Sequence, residues 1–78
     1  MEKALHSKRG VRFRAVLIEA REKAGLTQNE VAARLHKAQS FVSYYEKGLR
    51  RLDVAEFLQV AEVLRADPVK IIRQLLAR

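Results

Sequence analysis

An all-α domain of five short helices around one core is the fold this sequence predicts, on three observations. The chain has three glycines, one proline and no alternating run of Val, Ile and Thr, so it lacks the turn punctuation of a β fold. Apolar residues instead recur at three- and four-residue spacing in successive segments. Its 78 residues, 49% hydrophobic, bury only roughly 60% of their unfolded surface, enough for one core and not for two.

Residues 1–10, MEKALHSKRG, are basic, weakly periodic and closed by Gly10, and are expected to form a flexible tail before a domain of residues 11–78. From about Val11 to Ala24, Phe13, Leu17 and Ala20 fall on one helical face, and Gly25 stands where a left-handed residue ends a helix. Thr27-Gln28-Asn29-Glu30 fits a capping box, in which the Thr27 and Glu30 side chains each satisfy a free backbone donor. It opens a second helix over about 28–35 that buries Val31, Ala32 and Leu35. After a break at His36 to Ala38, a third helix spans about Gln39 to Lys47 and stops at Gly48. At about 100° per residue, Val42, Tyr45 and Glu46 share one side, Ser40, Tyr44 and Lys47 the other, and Phe41 and Ser43 flank the outer face. Asp53 caps a fourth helix carrying Val54, Phe57, Leu58, Ala61 and Leu64. Pro68 suits the first turn of a fifth carrying Val69, Ile72 and Leu75 or Leu76. No repeat, low-complexity tract or domain-separating linker is present.

With no cysteine, there is no disulfide framework, thiolate nucleophile or sulfur-based zinc site, which points to a reducing, cytoplasmic setting. Apolar runs are as short as Ala15-Val16-Leu17-Ile18, against about 20 residues for a membrane span, and the basic start lacks the apolar stretch of a signal peptide. His6 and His36 lie in a tail and a turn, the three serines show no nucleophile-elbow pattern, and the isolated glycines make no phosphate-cradling loop. An enzyme, a metal site and a cofactor are therefore not expected.

The net charge of +7 is segregated. Residues 1–14 set five basic side chains against Glu2, and residues 37–51 set Lys37, Lys47, Arg50 and Arg51 against Glu46, while the remainder balances. Such segregation suits a polyanionic partner, nucleic acid or an anionic membrane surface, although a solvated basic face gives the same count. The membrane is disfavoured because no Trp- or Phe-rich amphipathic face adjoins the tail.

Two short helices joined by about three residues and followed by a basic loop have the spacing of a helix-turn-helix, and the residues resemble the phage repressor and Cro type, the XRE family. The likeness lies in Leu26-Thr27-Gln28-Asn29-Glu30-Val31-Ala32-Ala33-Arg34-Leu35, in Val42 to Glu46 with Lys47-Gly48 and Arg50, and in Phe57-Leu58-Gln59-Val60-Ala61. It covers about residues 12–72. The resemblance implies a compact lambda-repressor-like domain of five helices that binds double-stranded DNA, with the second helix of the motif in the major groove.

Carried over by position, Gln39, Ser40, Phe41, Ser43 and Tyr44 become the base readers. Glutamine pairs with adenine N6 and N7, serine with several bases, and a phenyl ring packs on the thymine methyl. Tyr44 has a base or a phosphate within its repertoire. Against this stand lateral packing of Phe41 and Tyr44 and a purely local role for Gln39 at a helix start. Gln28, at a helix N-terminus, is placed to meet a phosphate oxygen, unless it is an ordinary solvated glutamine. Lys37, Lys47, Arg50 and Arg51 would add phosphate contacts, with Arg12 or Arg14 further out, for a log–log salt slope of roughly −4 to −5.

Glu46 faces the core and needs a partner to offset its desolvation; in the resembled family an arginine matching Arg21 often supplies it. Two departures from the family pattern stand out, in the turn and at Tyr45. His36-Lys37-Ala38 replaces the usual Gly-Val-Ser of the turn, with His36 serving as a turn residue and no side chain capping the reading helix. Tyr45 replaces an aliphatic residue and brings in a hydroxyl that must find a partner. The stripe Ile71, Ile72, Leu75 and Leu76 is wider than one small core needs, which points to a homodimer through the C-terminal helix, unless that helix simply closes the core. The expected function is a small sequence-specific transcription regulator without a ligand-sensing domain. The rival is an antitoxin-like or adaptor protein-interaction module on the same fold.

Overall fold

A computed structural model describes residues 7–77 as five α-helices: α1 (Lys8–Lys23), α2 (Gln28–Leu35), α3 (Gln39–Lys47), α4 (Val54–Val63) and α5 (Pro68–Leu76). Four of them start where a side chain accepts from free backbone amides. Ser7 Oγ accepts from the Gly10 amide at 3.0 Å. Thr27 with Glu30 and Asp53 with Glu56 form reciprocal capping boxes, and Asp67 accepts from Val69 and Lys70. Helix α3 is the exception: its N-cap is Ala38, with no side-chain hydrogen bond, which forgoes about 1 kcal/mol.

The ends of α1 to α4 share one device, a crossed pair of backbone hydrogen bonds around a left-handed residue. At α1, the Gly25 amide donates to Glu22 O and the Leu26 amide to Arg21 O; at α2, His36 donates to Ala33 O and Lys37 to Ala32 O. The same pairing recurs around Gly48 and Arg65. Gly25 and Gly48 hold φ of 72° and 79°, whereas His36 and Arg65 hold 57° and 55° despite carrying a Cβ. His36 is thus a turn residue, as the sequence suggests.

One boundary differs from expectation. Helix α1 begins at Lys8, so Gly10 lies inside it rather than closing a tail, and the Ser7 cap accounts for the earlier start. Of the tail expected over 1–10, residues 1–6 lie outside the described residues.

Every helix contributes to one core: Leu17, Val31, Val42, Tyr45, Val60 and Ile71 are all buried, and Phe13 packs edge-on against Phe57 with centroids 5.3 Å apart. Burying one such side chain is worth about 1.5–3 kcal/mol. Helix α3 is therefore seated on α1 and α2, while α5 closes the far side against α1 and α4. The fourth and fifth helices bury less than their pattern implies, since Val54, Leu58, Val69, Ile72 and Leu76 are exposed. None of the described helices is long and apolar enough to cross a membrane.

Candidate nucleic-acid interface

The outward side of α3 carries Gln39, Ser40, Tyr44 and Lys47, all exposed, with Lys37 just before the helix and Arg50 and Arg51 just after it. Glu46, the one acid between residues 37 and 51, is turned inward and buried. The exposed side of the helix is consequently free of carboxylates. Ser43 is not on that side: it is only 8% exposed, so the 100° placement that set it beside the outer face is corrected by the neighbouring helices that cover it.

Glu46 anchors a hydrogen-bonded chain that reaches the surface. Arg21 Nε donates to Glu46 Oε2 at 2.8 Å and Arg21 Nη2 to Oε1 at 3.3 Å, while Arg21 Nη1 donates to the Leu26 carbonyl at 3.0 Å. The hydrogen bond that Arg21 donates to Glu46 raises the Arg21 pKa above its ordinary value despite desolvation. Gln28 Nε2 donates to Glu46 Oε1 at 2.8 Å, and Gln39 Nε2 donates to Gln28 Oε1 at 2.7 Å.

This chain sets the direction of two amides. A carboxylate only accepts, so Gln28 must present its nitrogen to Glu46, which leaves its oxygen for Gln39. Gln39 is thereby left with its Oε1 and one Nε2 hydrogen uncommitted among the described residues. An acceptor beside a donor is the pair that adenine N6 and N7 require. Gln28 accordingly departs from the simple phosphate contact expected of it: its side chain serves Glu46 and Gln39 and keeps one hydrogen over.

Phe41 is half-buried and engaged on several sides. Its ring meets Tyr45 edge-on at 5.7 Å, Arg50 lies over it at 4.6 Å from the centroid, and Lys37 Nζ stands 5.6 Å away. It acts as a platform for two cations more than as an open apolar face, and such contacts contribute about 0.5–1 kcal/mol at exposed sites. Arg50 is further held by Glu56, a residue outside the set expected from the sequence. Nη1 donates to Glu56 Oε1 at 3.1 Å and Nη2 to Oε2 at 2.8 Å, and Nη1 also donates to the Arg51 carbonyl at 2.8 Å. The pair raises the Arg50 pKa. The hydrogen bond from Arg50, then that from the Asp53 amide, lowers the Glu56 pKa. The Asp53-x-x-Glu56 spacing of a capping box was the available signal for Glu56.

Two further arginines settle elsewhere. Arg12 Nη1 donates to the Ala77 carbonyl at 3.0 Å, tying α1 to the end of α5, and the Arg14 guanidinium lies against Gly48. The Tyr45 hydroxyl is buried and finds no hydrogen-bond partner among the described residues, contrary to the expectation that it would. Burial, then the nearby negative Glu46, raises its pKa well above the ordinary 10.0.

The helix-turn-helix family pattern matches residues 17–71. Among solved structures, the XRE-family like protein from Pseudomonas syringae pv. tomato str. DC3000 is similar, with 46% identity, 83% of each chain covered and a TM-score of 0.77. No curated protein matches the chain.

Proposed function

The chain belongs to the XRE-type helix-turn-helix family, and on that premise we propose that it is a sequence-specific transcription regulator that reads the DNA major groove with α3. The observation that carries this reading is the surface of α3, where Gln39, fixed in direction by Gln28 and Glu46, stands on a basic side without carboxylates. Gln39 pairs with an adenine, Ser40 and Tyr44 contact neighbouring bases or phosphates, and Phe41 contributes its remaining open edge. Ser43 has no part in reading because it is buried. Lys37, Lys47, Arg50 and Arg51 meet phosphates, as do the free amides at the start of α2 beside Gln28.

The protein acts as a homodimer. Val54 and Leu58 on α4 and Val69, Ile72 and Leu76 on α5 are exposed apolar side chains that a second copy would cover, whereas Ile71 of the C-terminal stripe belongs to the core. Two-fold pairing sets the reading helices about one DNA turn apart, roughly 34 Å, on an inverted repeat. Such a protein works in the cytoplasm.

Selection of sites from randomised duplex DNA at about 0.15 M salt tests the reading, because loose surface attraction is screened there. An enriched inverted repeat containing adenine is expected. A single half-site would remove the dimer, and no enrichment by folded protein would shift the function to a protein-interaction module.

A further inference from the structure

Arg50 is one of four cations beside the reading helix, but it alone is fixed on three sides. Its guanidinium lies over Phe41, its outer Nη1 hydrogen goes to the Arg51 carbonyl, and its terminal fork, Nη1 with Nη2, grips Glu56. Glu56 is itself held: its Oε1 accepts from the Asp53 amide at 2.9 Å while Asp53 Oδ1 accepts from the Glu56 amide at 2.7 Å. An arginine has five N–H groups, of which these contacts use three. The two left without a protein acceptor among the described residues are the Nε hydrogen and the second Nη2 hydrogen, and these lie on the same edge of the planar group. That edge is a two-pronged donor with the geometry of a phosphate's oxygens.

We propose that Glu56 is a positioning residue for DNA binding, holding Arg50 on Phe41 so that the Nε–Nη2 edge grips one phosphate beside the first turn of α3. The inference rests on the DNA-binding reading above and goes beyond it by giving an acidic residue a favourable part. Phe41 lies in that first turn, and Lys37, which shares its ring, belongs to the turn before it, so the stack sits at the end of α3 that faces base edges. A carboxylate near a polyanion ordinarily repels it, so a bystander Glu56 would weaken binding. Here the loss of lateral freedom in Arg50 outweighs that repulsion, because a fork already aimed gives up less entropy on contact than a free side chain does.

The test titrates full-length parent, Glu56→Gln and Arg50→Lys with the duplex recovered by site selection, over a series of salt concentrations. Glutamine still accepts from the Asp53 amide and so keeps the capping box, while losing the charge that holds the guanidinium. Weakening of about tenfold by Glu56→Gln is expected, despite the more positive protein, with the salt slope shallower by about 0.9. Lysine at position 50 keeps the charge and loses the fork, and a similar loss is expected. Unchanged or tighter binding by Glu56→Gln overturns the proposal, as does parent-like binding by Arg50→Lys, which stands as the test should the first variant fail to fold. A folded parent that binds no duplex would instead overturn the DNA-binding reading itself.

Discussion

Gln39 donates to Gln28 through Nε2 rather than the reverse because Gln28 turns its nitrogen toward Glu46 and so presents its oxygen to Gln39. A buried carboxylate, 5% exposed at its side chain, thus dictates which way an exposed amide on the neighbouring helix is turned. Gln28→Ala cuts this chain at its middle. Gln39 is then free to rotate, and discrimination at the adenine proposed as its partner should fall about threefold to tenfold, a fraction of a bidentate contact. Comparison of the parent and variant on the selected duplex and on one with that base pair changed measures it; equal ratios would refute the coupling.

Glu46→Ala acts mainly on stability. Removing the carboxylate leaves the Arg21 guanidinium, 16% exposed, with only the Leu26 carbonyl, and opens a space between α1, α2 and α3. A loss on the order of 3 kcal/mol is expected, a drop in Tm of roughly 10 °C or more for a domain of this size. The Arg50–Glu56 pair is 41% and 20% exposed, and breaking it should cost less than about 1 kcal/mol. Thermal melts of the two variants would rank them, and equal Tm for Glu46→Ala and parent would remove the buried pair as an anchor.

How much of this was legible in the sequence depends on how local each cause is. The limits of α2 and α3 follow from a capping box, a turn and Gly48, all signals within a few residues, and both spans agree with the structure. Gly10 misleads for the same reason: a glycine suggests a stop, whereas the Ser7 cap three residues earlier sets the start of α1. Burial is a different matter. A helical wheel places Glu46 inward because the angle alone decides it, whereas Ser43, at the margin of the face, is covered by neighbours that no wheel contains. Likewise, Glu56 becomes the partner of Arg50 only once the loop between α3 and α4 turns back, so its capping spacing was visible and its ion pair was not.

The left-handed residues offer a paired test of opposite sign. His36 is exposed and occupies φ 57°, where a Cβ costs roughly 1–2 kcal/mol; His36→Gly removes that strain and returns about 0.5–1 kcal/mol of unfolded-state entropy. The net expectation is a gain of about 0.5–1 kcal/mol. Gly48→Ala adds a Cβ at φ 79° and sets it 2.8 Å from Arg14 Cζ, so a loss of at least about 1 kcal/mol is expected. Denaturant midpoints should move in opposite directions, and movement in the same direction would refute the account.

Tyr45 joins packing to pH. Its ring belongs to the core and meets Phe41 edge-on, but its hydroxyl is buried with no partner among the described residues, so Tyr45→Phe keeps the packing and removes a polar group whose burial they do not compensate. A stabilisation of about 1 kcal/mol at neutral pH is expected. The folded pKa lies above the unfolded 10.0, chiefly through burial, so the neutral phenol is favoured by the fold. Its contribution is present in full below pH 10 and is lost as the pH climbs toward the folded value, because the unfolded chain ionises first. The stability gap between Tyr45→Phe and parent should therefore widen between pH 9 and pH 11 while other alkaline effects act on both alike. Melts across that range check it: a constant gap would mean that the hydroxyl ionises as readily in the folded protein as in the unfolded chain, and a parent more stable than the variant at neutral pH would mean that the hydroxyl is bonded.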